Sequence, residues 1–173
     1  MGIIKELNKG VQEIPYFKPL EDTNGVINMN VNGSVNPEEF KSVIQGANII
    51  RVQKLIISLL DNGSLDSGGF GNNGGNPLQN GIDLFLMKNG VKTSLYDQKI
   101  KTHYELGSAV HRLNFYNQGS GAEFLTAEFD FMIHDNLIRL EAAKGDYIGL
   151  EVNDDLTYLL DMRIFVQGYY EKQ

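Results

Sequence analysis

Residues 47–60 read ANIIRVQKLIISLL, and the way this run alternates decides the fold class. Ile50 and Val52 share one phase of a two-residue period, whereas Leu55, Ile57 and Leu59 share the other. A strand has that period because successive side chains point to opposite faces of a sheet. A slip near Gln53-Lys54 reconciles the two phases, and one extra residue there is a β-bulge that bends a long strand. A helix is the competing reading. The β-branched content favours the strand, since branching at Cβ restricts rotamers in a helix and suits a pleated surface.

The neighbouring segments repeat the pattern. AEFLTAEFDFMIH (122–134) sets Leu125, Ala127, Phe129, Phe131 and Ile133 on one face and Glu128 and Asp130 on the other. GVINMNVNGSV (25–35) alternates Ile27, Met29 and Val31 with Asn28, Asn30 and Asn32. IDLFLMKNGVKTSLY (82–96) reads as a hairpin, because Asn89-Gly90 readily takes the positive φ angles of a type I′ turn. LIRLEAAKGDYIGLEVNDD (137–155) reads as a second pair turning at Lys144-Gly145-Asp146, and DMRIFVQGYYE (161–171) as a closing strand with Met162, Ile164 and Val166 on one face. Two short helices are expected. In NPEEFKSVIQG (36–46), Asn36 would cap, Pro37 would open and Gly46 would end a helix; SAVHRLNFY (108–116) would add another turn or two.

About nine strands without an internal repeat predict an all-β chain, a two-sheet antiparallel sandwich or a barrel, and the antiparallel two-sheet β-sandwich with one or two short helices is the fold expected. Residues 1–24 lack alternation and contain Pro15 and Pro19, so they read as an N-terminal arm. Residues 25–173 form the single domain.

Composition narrows the function. The 173 residues include no cysteine, which removes thiolate chemistry, zinc–thiolate sites and disulfides. The net charge is −7 and the cations are scattered singly, so no direct nucleic-acid contact is expected. The opening MGIIKELNKGVQEIPYF has no apolar core of signal-peptide length, and Glu6 stands where a myristoylation signal needs Ser or Thr. No run approaches the ~20 apolar residues of a membrane span, so an integral membrane protein is not expected. The sequons at Asn32 and Asn62 are read as unmodified.

Candidate sites each meet a plainer reading. Segment 61–81, DNGSLDSGGFGNNGGNPLQNG, holds seven glycines and five asparagines. Its Gly69-Phe70-Gly71-Asn72-Asn73-Gly74 matches a dinucleotide fingerprint but lacks the strand–turn–helix context that would aim helix amides at a phosphate. Calcium at Asp61 and Asp66 would need stacked repeats or an EF-hand spacing, and neither is present. The expected role of residues 62–81 is an exposed connection, ordered by a partner. His103, His111 and His134 have no ligand spacing. Glu128 and Asp130 would lie about 7 Å apart on one strand face, where a solvated sheet surface outweighs a glycosidase pair. Asp154-Asp155 reads as a turn. Ser120 has no base assigned by spacing, and no G-x-S-x-G elbow exists. No catalytic, metal or cofactor residues follow, and no enzyme is expected. Tyr104, Tyr116, Tyr158, Tyr169 and Tyr170 keep a carbohydrate- or receptor-binding module as the alternative, favoured if they cluster on one exposed face.

An arm, alternating strands and long Gly/Asn loops together resemble the single jelly-roll capsid proteins of viruses and bacteriophages. GDYIGLEVNDDLTYLLDMRIFVQGYYE (145–171) looks like the C-terminal strand pair of small phage virion proteins, with VNDDLT as the turn and RIFVQGYYE as the final strand. The resemblance covers residues 25–171 and carries no site residues. It implies a single jelly roll acting as a capsid, penton or capsid-associated subunit, located in the virion. Its partners would be copies of itself and other virion proteins, met through the arm (1–24) and the loop (62–81).

Overall fold

The computed structural model describes residues 14–46, 48–61, 70, 76–106, 112–117, 123–131 and 137–171. It is all-β, an antiparallel sheet that curls into a half-barrel. The strands are β1 (Ile14–Glu21), β2 (Glu38–Ser42), β3 (Ile49–Asp61), β4 (Ile82–Lys88), β5 (Val91–Ser94), β6 (Arg112–Asn117), β7 (Glu123–Asp130), β8 (Ile138–Glu141), β9 (Tyr147–Val152) and β10 (Leu159–Tyr170). They run in the order β5-β4-β9-β2-β1-β10-β3-β7-β6, with β8 paired to the first residues of β3. Among the described residues, a short helix, α1 (His103–Leu106), and a 3₁₀ turn at Ala142–Lys144 interrupt them.

Strand β3 behaves as its sequence requires. Ile50 and Val52 are buried, the phase slips across Gln53 and Lys54, and Leu55, Ile57 and Leu59 are buried beyond it. Against β10, Lys54 faces Gln167 and Val52 faces Gly168, which leaves Gln53 as the unpaired residue of a β-bulge. The bulge lets one strand keep its apolar side chains inward while the sheet bends.

Strand β1 joins the two halves of the sheet. Ile14 to Pro19 pair with β10, and Leu20 and Glu21 pair with β2. The segment read as an arm up to residue 24 therefore contributes an internal strand, because Tyr16 and Leu20 alternate into the core. Residues 1–13 lie outside the described residues. One hydrophobic core draws on both halves, with Phe40, Leu84, Ile148 and Leu150 from one and Leu55, Ile57, Ile164 and Val166 from the other.

Several expectations need correction. The helix over 36–46 is instead β2, between β1 and β9, with Phe40 and Ser42 inward. Local capping signals lose there to tertiary pairing, which rewards the alternation of those two side chains. The end of the helix over 108–116 is strand β6, paired to β7; residues 108–111 are not described. The strands flanking Lys144-Gly145-Asp146 are no hairpin, for β8 pairs with β3 while β9 lies between β4 and β2. Gly145 still turns the chain at φ 70°. GVINMNVNGSV is an extended segment and not a regular strand, although Met29 is buried as expected. Its asparagines replace ladder bonds. Asn28 and Asn30 donate to the carbonyls of Leu160 and Leu159, the Asn28 side-chain oxygen accepts from the Met162 amide, and Asn32 donates to Asp155.

The hairpin of β4 and β5 forms as read, with Asn89 and Gly90 at φ 50° and 77°. Beyond β7, Phe131 is half-buried, and Ile133 is not described. Of segment 62–81, Phe70 and Leu78 are core residues, so the connection is pinned to the domain and is not simply exposed.

Candidate functional site

The bulge shapes the outer face of the sheet. Opposite β10, the outward residues of β1 are Pro15 facing Tyr169, Phe17 facing Gln167 and Pro19 facing Phe165. Of these, Pro15, Phe17, Gln167 and Tyr169, together with Tyr16, Gln53 and Gly168, line a cleft of about 510 Å³. Phe17 is 56% exposed although it is a large apolar side chain. Its ring lies parallel to that of Phe165, with centroids 5.2 Å apart, so one face is covered and the ring is held flat. Gly168 lets β10 press against β3 here, since a Cβ at that position would meet the Arg51 carbonyl oxygen at 2.0 Å. Among the described residues, the side chains of Gln53, Gln167 and Tyr169 make no hydrogen bond. The cleft thus combines two unspent amides, a phenol and an apolar wall.

Several charged side chains elsewhere on the sheet pair with one another. Lys54 on β3 bridges Glu128 and Asp130 on β7, at 3.7 and 3.4 Å. Those two carboxylates do share a face, as their spacing predicts, and a cation sits between them where a sugar would have to enter. Lys92 on β5 reaches Asp83 and Glu151, both at 3.0 Å, and lies 4.2 Å over the Phe85 ring. Burial opposes the Lys92 charge, but its hydrogen bonds to Asp83 and Glu151 hold its pKa above the usual lysine value. Burial likewise raises Glu151, and Lys92 and Asn153 outweigh it, leaving the carboxyl below the usual range. At the start of β3, Arg51 and Arg139 both bond Glu171, at 2.8 and 3.0 Å, while Arg139 and Lys144 bond Glu141. The hydrogen bond from Arg139 keeps Glu171 low, and that from Lys144 does the same for Glu141.

The remaining features from the sequence scatter. His103 is buried in α1 with its ring 4.1 Å from that of Tyr104. Asp154 does more than turn the chain, because its buried carboxylate accepts from the amides of Asn80 and Gly81 at 2.7 and 2.5 Å and so fixes the entry to β4. Asp155 accepts from the amide and hydroxyl of Thr157, which makes the expected turn. Asp61 is buried at the end of β3. His111, His134, Ser120 and Asp66 lie outside the described residues, as does most of the glycine-rich fingerprint. Among the described residues no group of three or more His, Asp or Glu side chains is placed to hold a metal. No helix there is long and apolar enough to cross a membrane.

Among the described side chains, the tyrosines do not gather on one exposed face. Tyr16 is buried, and Tyr104 and Tyr158 are exposed on α1 and on the turn before β10. Tyr169 and the buried Tyr16 line the cleft. Phe17, Gln53 and Gln167 escape a sequence reading because they come from three strands distant along the chain. The signal for one of them was present, in the phase slip at Gln53. No protein-family model, curated protein or solved structure matches the chain.

Proposed function

We propose that the protein is a self-assembling structural subunit, a jelly-roll component of a virion shell whose two halves are joined through β1. One observation carries this reading. Four large apolar side chains, Val26, Val35, Tyr158 and Leu160, are 40% exposed or more along one rim of the molecule. The rim is built by the extended segment 22–37 lying against residues 153–162, held by the asparagine bonds and by the bridge between Asn32 and Asp155. Exposed apolar side chains gathered on one edge mark protein contact surfaces, and identical subunits bury such surfaces against one another in closed arrays.

Light scattering across a range of protein concentrations tests the proposal. The expected result is a native mass that rises to a fixed multiple of the chain mass. Replacing Val35 and Leu160 together by Asp should return it to the monomer without lowering the melting temperature. A wild-type chain that stays monomeric at every concentration defeats the proposal.

A further inference from the structure

We infer that the cleft lined by Pro15, Phe17, Gln53, Gln167 and Tyr169 is a binding site for a neutral saccharide. The C–H face of a pyranose is flat and apolar, and Phe17 offers a flat ring already fixed against Phe165. A pyranose also carries vicinal hydroxyls that donate and accept. Each glutamine amide does both, and Gln53 and Gln167 keep that capacity unspent among the described residues. None of the side chains lining the cleft is charged. The nearest cations along β3, Arg51 and Lys54, are held by Glu171 and by the Glu128–Asp130 pair. An anionic ligand therefore finds no free counter-charge in the cleft.

The backbone argues for a small ligand over an added strand. Here β10 is paired on both sides, by β1 and β3, so this part of the sheet presents a face and no free edge. A volume of about 510 Å³ suits a ligand of one to a few rings. The bulge has a direct role, because an unpaired bulge residue is re-aimed relative to its strand and Gln53 lines the cleft. The cleft lies at the far end of β10 from the rim at Leu159–Met162, so assembly and ligand binding occupy separate surfaces.

The test uses the full chain with defined probes: the methyl pyranosides of glucose, galactose and mannose, N-acetylglucosamine, and a neutral trisaccharide of each. Binding is followed by amide chemical shifts in two-dimensional NMR. At least one neutral probe should shift the signals of Gln53, Gln167 and Tyr169, with a dissociation constant of about 1 mM or tighter. Phe17→Ala, Gln53→Ala and Gln167→Ala should each weaken it about tenfold or more. Gln53→Ala and Gln167→Ala remove half-buried amides that bond no other side chain or backbone group among the described residues, so they should keep the wild-type melting temperature and report on binding alone. The inference is overturned if no neutral saccharide shifts these signals, or if binding survives the three substitutions. Equal binding of a sulfated sugar, or capture of a polyproline peptide instead, overturns it as well. Repeating the titration on the Val35→Asp, Leu160→Asp variant separates this outcome from any failure of assembly.

Discussion

At the scale of single residues, two buried carboxylates fix turns. Asp154 is the clearest case, since its carboxylate holds two consecutive amides, one of them Gly81 at φ 80°. Asp146 works in the same way, accepting from the amides of Asn89 and Glu141 and so tying the β4–β5 turn to the 3₁₀ turn. Removing such an acceptor leaves buried donors unmet, which typically costs about 1–3 kcal/mol. Asp154→Ala should lower the urea unfolding free energy by about that amount. Asp154→Asn, which keeps one acceptor oxygen, should lose less. Equal stability for Asp154→Ala and the wild type would show that the amides find water instead. Gly149 illustrates a different restraint. The Phe85 ring covers it so closely that a Cβ would lie 2.4 Å from the ring, and the aromatic shields a backbone that has no side chain.

At the scale of elements, the bulge is the feature with the largest leverage. Deleting Gln53 would turn Ile50 and Val52 to the outer face or force the rest of β3 to do so. Exposing two side chains of that size costs about 3–6 kcal/mol, a large share of the 5–15 kcal/mol that holds most domains together. The deletion should therefore unfold at a much lower urea concentration, whereas Gln53→Ala should stay within about 0.5 kcal/mol of the wild type. The outer ion pairs predict an acid response. Glu141, Glu151 and Glu171 have folded-state pKa values below the ordinary range, so each favours the folded chain above its unfolded value near 4.3. That contribution is lost as pH falls from about 5 through the lower folded values. Lys92→Met should flatten the decline in melting temperature between pH 7 and pH 3, and an unchanged slope would remove Lys92 from the explanation. The strands were legible to the extent that period two reports burial. It located the slip in β3, the inward residues of β7 and β10, and the Asn89-Gly90 turn. It failed at β2, where Asn36-Pro37 and Gly46 imitate helix ends and five strand residues give too short a period to outvote them. It also failed to pair β8 and β9 correctly, since adjacency in the chain says nothing about which neighbour a strand will find. The cleft was illegible for the same reason, as its lining joins residues 15–17, 53 and 167–169.

At the scale of the whole molecule, β10 organises both proposed surfaces, with the assembly rim at its beginning and the saccharide cleft near its end. A shell subunit with these two surfaces would face its neighbours along one edge and keep a sugar site on another, so assembly and ligand binding should be independently mutable. The central place of β1 has a further consequence, for the order in which the fold can be completed. Strand β1 lies between β2 and β10, and Ile14 faces Tyr170. During synthesis β1 leaves the ribosome long before β10, its partner along most of its length. Until then Tyr16 and Phe17 lack the strand that faces them, although Leu20 can already meet β2. Contacts so distant along the chain close slowly. A nascent chain therefore holds the first part of β1 unpaired until β10 is made, and an apolar strand left unpaired is a surface that chaperones bind.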